Sequence, residues 1–596
     1  MKKILNGNEA FAHGALAAGL NFYAGYPITP STDVYELLEA EHEKYGVTFV
    51  HASSEISAAN MIMGASTAGA RALTVTSGCG FSLMQEAISY MAADFVPCVI
   101  LNVMREGAGL GDIPRSQGDY DQMTKGGGNG DYHAIVLSCS SIRDCMEMPE
   151  LAYELAEKYR NPVIVTYDSD IAHTRESVEI LPARLNDIDR LDYTLKGKST
   201  GAPKLVQNVN YHDPDFTRDM AEKYALIEQN EQRYRCYETE DAEVILVAYS
   251  ICARVCRDVV KRARAKGLKV GLIVPVTLYP FPEKAFRNIP NCRRIIVVEL
   301  SILRQLRRDV EYYTRFRYTY DSVSSMSTCP TVLDILEVIG EQKDTELPAP
   351  AAVPAEVSKV LPGEWKMPEV QVLPRSGNYN MLCAGCGHRT AMMLLDDIIR
   401  KKGLAERVTL MLDVACCSLM IDDVEYDSVM CAHGRVLDVT KGYKETRKLN
   451  VVISYMGDGA AYAIGIEELI HAARRNDDAF IVVINNGLFS MTGGQISPAY
   501  IGTGTEDAEA GFLVENVIGK LPIRYLARAA LSDRPHIDEA RLYLERALDG
   551  YLREGGFHMV ELLSPCPTNY KRSPKEMTDL INDYMSTVYH TGELRC

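Results

Sequence analysis

The 596-residue chain has a single tryptophan and no run of eighteen consecutive apolar residues. The second absence excludes a hydrophobic membrane-spanning helix. Basic residues are in deficit: 63 Lys and Arg stand against 80 Asp and Glu, a formal net charge of −17. That balance argues against nucleic acid or an anionic membrane surface as the main partner. Short repeats are absent, and so is any CxxCxxCxxxCP run of the ferredoxin kind. Met1-Lys2-Lys3 leads directly into an Asn-Gly turn and a helical pattern, with no signal-peptide core, so a cytoplasmic location is expected. Hydrophobic content of 47% beside 24% charged residues fits a globular chain with room for three or four domains.

Cysteine, by contrast, is abundant. The chain has sixteen, although disulfides rarely persist in the cytosol. Cys98, Cys139, Cys145, Cys252, Cys256 and Cys292 lie in apolar or helical context and read as small core residues. Four others differ. Cys383 and Cys386 form a CxxC in a glycine-containing loop, Cys416 ends the apolar run 408–414, and Cys566 follows the apolar run 559–563. A CxxC with two distant cysteines at strand ends suits Zn²⁺ or an iron–sulfur cluster, while a thioredoxin-type pair leaves the distant two unexplained. Spacing alone leaves these alternatives open.

The stretch 451–495 is the most informative. An apolar run at 451–455 ends in Gly457-Asp458-Gly459, a helical segment follows, and a second apolar run at 480–484 ends in Asn485-Asn486-Gly487. This is a β-α-β unit that aims an acid and an amide into one crevice beyond the strand ends. Both are oxygen ligands suited to Mg²⁺, which takes phosphate oxygens for its remaining positions, and the glycines let the backbone approach a diphosphate. The GDG triplet with Asn486 placed 28 residues after Asp458 resembles the diphosphate-binding motif of thiamine diphosphate enzymes.

With that site in place, a wider resemblance can be traced. CAGCGH at 383–388, the segment around Cys416, AHGR at 432–435, GDGAAYAIG, SMTGGQISP and SPCPT resemble the β subunit of 2-oxoacid:ferredoxin oxidoreductases. The resemblance implies that Cys383, Cys386, Cys416 and Cys566 hold a [4Fe–4S] cluster. It further implies that Asp458, Asn486 and the Leu488 carbonyl hold Mg²⁺, and that Gly457, Gly459, Thr492, His433, Gly434 and Arg435 line the cofactor site. Where the family has Cys-Ser, this chain has Cys416-Cys417, and alignment favours Cys416 as the ligand.

YAGYPITPS, SSEISAANMIMGASTAGARA and TSGCGFSLMQEA, all within residues 1–180, resemble the pyrimidine-binding domain of the α subunit in the same family. Thiamine chemistry requires one semi-buried carboxylate to hydrogen-bond the aminopyrimidine N1′ from a domain facing the diphosphate. The resemblance assigns that role to Glu55. It places Thr29 against substrate and offers Arg105 to the 2-oxoacid carboxylate, a task suited to a planar guanidinium. Departures are specific: Glu106 and Ala108 stand where branched-chain-type members have Gly and Pro, and apolar Met491 replaces a polar residue of pyruvate-type members. Both lean towards a branched or apolar substrate.

The expected fold is multidomain α/β, with two doubly wound thiamine-binding domains and a small transketolase-C-terminal-like α/β domain. The expected boundaries are 1–180 for the pyrimidine-binding domain, 181–240 for a polar connector and 241–345 for the small domain. A Pro/Ala-rich linker at 346–376 then leads to the diphosphate-binding domain with its cluster at 377–596. The resemblance thus covers nearly the whole chain as an α subunit fused to a β subunit. It implies coenzyme A as co-substrate, a separate γ subunit, a ferredoxin or ferredoxin-like δ subunit as electron acceptor, and a homodimer. The competing readings are a non-redox thiamine decarboxylase and a zinc-stabilised, catalytically silent subunit.

Overall fold

A computed structural model describes residues 2–107, 113–197, 204–206, 216–326, 328–340, 382–501 and 511–595. The expected linker at 346–376 and Ala108 of the glycine-rich loop lie outside the described residues. The chain divides into two compact units. One comprises 1–59, 71–187 and 209–367; the other comprises 60–70, 188–208 and 368–596.

The first unit holds three sheets, the smallest being the antiparallel pair Lys2–Leu5 and Glu176–Glu179. In the seven-stranded sheet the order is Thr277–Tyr279, Ile135–Ser138, Val163–Asp168, Val99–Met104, Ala72–Thr76, Phe22–Gly25, Thr48–His51, all parallel except the first. Its central strands are buried along their whole length, as strands covered on both faces must be. The sequence meets that demand with near-continuous apolar runs such as Val99–Met104. Helix Gly7–Ala17 starts on a capping box between Asn6 and Glu9, which satisfies two otherwise orphaned amides. A five-stranded sheet, ordered Tyr234–Tyr237, Val270–Pro275, Val244–Val247, Arg294–Glu299, Thr319–Ser324, forms the small domain.

The second unit is built on eight strands. Their order is Gly592–Arg595, Tyr525–Ala530, Phe557–Leu563, Ala479–Asn485, Val451–Gly457, Val408–Asp413, Asp427–Cys431, Leu205–Val206, and only the Gly592–Arg595 edge is antiparallel. Leu410, Leu412, Ile453, Tyr455, Val482 and Val560 lie in one continuous apolar core on this sheet. The small-residue run around 58–70 has a physical role here. A Cβ on Gly64 would fall 2.1 Å from the Val439 carbonyl oxygen, and one on Gly442 would fall 1.8 Å from that of Met61. Two helices therefore cross at a distance that only glycine permits.

Three details differ from expectation. The glycine-bearing Ser77-Gly78-Cys79-Gly80 reads from sequence as a loop before a helix from about Phe81, whereas the helix starts at Gly78, behind an extended Ser77. The polar connector, read from sequence as carrying some helix, does contain one at Phe216–Asn230, but its strand Tyr234–Tyr237 extends the small domain's sheet. Thr277–Tyr279, read from sequence as part of the small domain, pairs instead with Ile135–Ser138 of the larger sheet. Among the described residues no helix is long and apolar enough to cross a membrane.

Candidate active site

The second unit's parallel strands carry polar residues at their carboxyl ends. Asp413 ends one strand, and Cys416 follows it; His433 follows Asp427–Cys431; Asp458 follows Val451–Gly457; Asn486 follows Ala479–Asn485; Cys566 follows Phe557–Leu563. A cavity of about 310 Å³ opens at this edge, and its wall includes Cys416, His433, Asp458, Asn486, Leu488 and Thr492. This is where ligands sit in open parallel sheets.

Asp458 is buried. Its carboxylate accepts hydrogen bonds from the Ser497 hydroxyl and, at 3.4 Å, from the Asn486 amide. Burial pushes its pKa up to about 7 against those two donors. Asn486 Oδ1 accepts from Leu488 N and Ser490 Oγ, both at 3.0 Å. Gly459 belongs to the cavity wall, and a Cβ there would meet the Phe489 ring at 2.6 Å. A carboxylate, an amide oxygen and a glycine-lined wall suit Mg²⁺ and a diphosphate. Behind the strand end, buried Arg528 bonds Glu561 at 2.6 Å. Glu561 takes the Asn485 amide at 2.7 Å, and Asn485 Oδ1 accepts Gly487 N at 3.1 Å. This chain fixes the turn that presents Asn486.

His433 Nδ1 lies 2.7 Å from Asp413 Oδ2, and Asp413 Oδ1 accepts the Gly434 amide at 2.7 Å. Gly434 and Arg435 are not part of the cavity wall; Arg435 is ion-paired to buried Glu468. Thr492 is in the wall, its hydroxyl donating to Gln495 Oε1 at 2.7 Å. His388, beside the CxxC, is buried against the Tyr455 hydroxyl at 3.2 Å, and burial lowers its pKa to about 4.

The four expected cysteines come near one another. Burial raises the Cys416 thiol to about 12, with further contributions from Cys386, Cys566 and Cys383, so all three stand within electrostatic reach. Cys417 points elsewhere: it is buried in the apolar core and donates its S–H to the Asp413 carbonyl at 3.2 Å. Among the described residues no three His, Cys, Asp or Glu side chains converge on a single-ion position. Four cysteines are a soft sulfur donor set that suits either zinc or a [4Fe–4S] cluster.

In the first unit, Glu55 opens helix Glu55–Thr67 and is buried. Ser54 Oγ, not Glu55, accepts the early helix amide, from Ser57 N at 3.2 Å. The Glu55 carboxylate lies against Gly80, where a Cβ would fall 2.6 Å from Oε1 and 2.4 Å from Thr76 Oγ1. The hydroxyls of Thr76 and Ser77 are buried without partners. Arg105 Nη1 donates to the Thr29 carbonyl at 2.7 Å, and Nη2 approaches Cys79 Sγ at 3.5 Å. Arg105 also acts electrostatically on Asp119, opposing the upward shift that burial gives that carboxyl. Glu55, Thr29 and Arg105 therefore belong to one neighbourhood linked through 76–80.

Sequence reasoning missed Asp413, Ser497, Ser490 and Asn569. An acid ending the apolar run 408–413 was a usable signal, the same one that marked Asp458. The other three become visible only through contacts across the fold.

Comparison with known proteins comes to the same region. Residues 13–245 match the family described as pyruvate flavodoxin/ferredoxin oxidoreductase, thiamine diP-bdg. Residues 242–327 match pyruvate:ferredoxin oxidoreductase core domain II, and 420–562 match the thiamine pyrophosphate enzyme, C-terminal TPP binding domain. The ketoisovalerate oxidoreductase subunit VorB of Methanothermobacter thermautotrophicus is 41% identical over 314 residues, 52% of this chain and 88% of that subunit. Subunit VorA of the same organism is 30% identical over 227 residues, 36% of this chain and 47% of that subunit. Among solved structures, the 2-oxoglutarate:ferredoxin oxidoreductase of Magnetococcus marinus, with 2-oxoglutarate, coenzyme A and succinyl-CoA bound, aligns at TM-score 0.51 and 25% identity. That alignment covers 57% of this chain and 64% of that one.

Proposed function

The chain belongs to the 2-oxoacid:ferredoxin oxidoreductase family, with α-type and β-type portions in one polypeptide, and we propose that it converts a 2-oxoacid and coenzyme A to an acyl-CoA and CO₂. Two electrons leave one at a time, through a [4Fe–4S] cluster, to a ferredoxin or ferredoxin-like subunit, and the thiol proton of coenzyme A is released. The observation that carries this reading is one cavity whose wall joins Asp458 and Asn486 to Cys416. Residues that would anchor a diphosphate and a residue that would hold a cluster thus share a wall, an arrangement that supports electron transfer between the two groups.

When bound, thiamine diphosphate supplies the nucleophilic carbon and electron sink, and the cluster supplies a one-electron outlet. The protein's own residues do the rest. Asp458, Asn486 and the Leu488 carbonyl hold Mg²⁺, with Gly457, Gly459, Thr492 and His433 around the diphosphate. Glu55 hydrogen-bonds the aminopyrimidine N1′ and sets its protonation. Arg105, whose guanidinium reaches the Thr29 carbonyl, takes the substrate carboxylate, with Thr29 beside it. Cys383, Cys386, Cys416 and Cys566 hold the cluster.

A branched-chain 2-oxoacid is favoured by apolar Met491 in the cavity wall and by the similarity to a ketoisovalerate oxidoreductase subunit. A separate γ subunit and a homodimer complete the proposed assembly. The test is anaerobic incubation with coenzyme A, a low-potential dye and a panel of branched, aryl, short and dicarboxylic 2-oxoacids, with acyl-CoA read by mass. Acyl-CoA formed fastest from the branched substrate is expected. CO₂ with free aldehyde and no acyl-CoA would make the protein a non-redox decarboxylase.

A further inference from the structure

Two side chains absent from the scheme above, Ser490 and Asn569, join the metal-binding loop to one cluster cysteine. The Ser490 hydroxyl lies 3.0 Å from Asn486 Oδ1, 3.4 Å from the Leu488 carbonyl and 3.4 Å from Cys566 Sγ. Two of its three neighbours are thus the oxygens assigned to Mg²⁺, and the third is a sulfur assigned to the cluster. Asn569 Nδ2 lies 2.7 Å from the Ser490 carbonyl and 3.7 Å from Cys566 Sγ. A carbonyl can only accept, so the Asn569 atom beside it is the NH₂, and that same group faces the sulfur as a donor.

A serine hydroxyl has one proton. Asn486 Oδ1 and the Leu488 carbonyl both stand within its reach as acceptors, and as a thiol Cys566 would donate to Ser490. A cluster-bound Cys566 is a thiolate and can only accept. A cation drawing on Asn486 Oδ1 and the Leu488 carbonyl weakens both oxygens as acceptors, and the hydroxyl's remaining acceptor is then Cys566 Sγ. Hydrogen bonds to cluster sulfurs stabilise the reduced, more negative state and raise its potential.

Resting on the cofactor and cluster assignments above, we infer that Ser490 and Asn569 are positioning residues that tie occupation of the metal–diphosphate site to the cluster's reduction potential. Asn569 supplies a constant N–H···S bond. Ser490 supplies one that switches on when the metal binds. The coupling is reciprocal: reduction of the cluster tightens cofactor binding by the same factor, and a tenfold change corresponds to about 59 mV for one electron.

The test is an EPR-monitored redox titration of anaerobically purified protein, with and without thiamine diphosphate and Mg²⁺, alongside iron content. In the unsubstituted chain the potential is expected to rise when the cofactor binds. In Ser490→Ala the two potentials coincide, while Ser490→Thr, which keeps the hydroxyl, retains the rise. In Asn569→Leu both potentials fall and the cofactor-dependent rise survives. A full cofactor-dependent rise in Ser490→Ala, or its loss in Ser490→Thr at full iron content, overturns the inference with the cluster intact. A parent protein without about four irons per chain overturns the cluster assignment itself, and the inference falls with it.

Discussion

Replacing Arg528 by Met gives the sharpest test of how the fold holds the turn that presents Asn486. Arg528 is fully buried, bonds Glu561 at 2.6 Å and Glu515 at 2.6 and 3.0 Å, and lies 5.1 Å from the Tyr589 ring centroid. Burial alone would lower its pKa, but Glu561 and Glu515 outweigh that and hold it protonated. Methionine fills much of the volume and leaves Glu561 as an uncompensated buried carboxylate. Breaking such a pair from one side costs about 3–5 kcal/mol. At about 2–4 °C per kcal/mol for a unit of this size, melting should fall by roughly 6–20 °C. Glu561 also holds Asn485, whose Oδ1 fixes Gly487 beside Asn486, so Mg²⁺–thiamine diphosphate affinity should drop by roughly 10–100-fold, as for other residues that orient metal ligands. Lysine at 528 should restore only part of both effects, because it cannot reach Glu561 and Glu515 with one planar fork. Scanning calorimetry of the apoprotein and calorimetric titration of the cofactor read the two quantities. Destabilisation below about 1 kcal/mol, the range of exposed pairs, with unchanged affinity would refute the anchoring argument.

Three further outcomes follow from the geometry. Glu55→Gln should leave cofactor affinity within a few-fold and reduce turnover by at least about 100-fold, the usual scale of a proton-transfer group; unchanged turnover in a steady-state assay removes Glu55 from N1′. Cys416→Ser should cost the cluster and its iron, whereas Cys417→Ser should keep iron near the parent level and lose only thermal stability, since Cys417 faces the Asp413 carbonyl in the core; equal iron loss in both would contradict this. Burial raises the Glu299 carboxyl from 4.5 to about 7, against the Leu306 and Arg307 amides. Its folded pKa exceeds its unfolded one, so its contribution to stability is complete below pH 4.5 and is lost as pH rises through about 7. At 1.36 kcal/mol per unit that limb amounts to at most about 3 kcal/mol, and Glu299→Gln should flatten it in melts between pH 5 and 8.

The parts of the site legible in the sequence share one property: each lies at the end of an apolar run or in a compact local motif. Asp458, Asn486 and Cys566 could be placed at strand ends because a buried parallel strand is a continuous apolar stretch and polar residues follow it. Glu55 could be placed because its flanking segment is distinctive. Cys416 and Cys417 could not be separated by position, since adjacent residues differ only in which way the chain turns them. The Arg528–Glu561–Asn485 chain and the Ser490–Cys566–Asn569 cluster were not legible, because the Asn485–Glu561 and Ser490–Cys566 contacts each join residues 76 apart that meet only when strands pair. The two-residue strand Leu205–Val206 and the displacement of Thr277–Tyr279 to another sheet have the same origin: such short pairings are set by neighbours, and local pattern carries little of that information.

The most direct measurement is iron, acid-labile sulfide and zinc in anaerobically purified protein, with a visible spectrum before and after adding a 2-oxoacid and coenzyme A. A thiamine-linked cluster oxidoreductase predicts about four irons and four sulfides per chain and absorbance near 400 nm that bleaches with the correct substrate. One zinc, no iron and no substrate-dependent bleaching would contradict it.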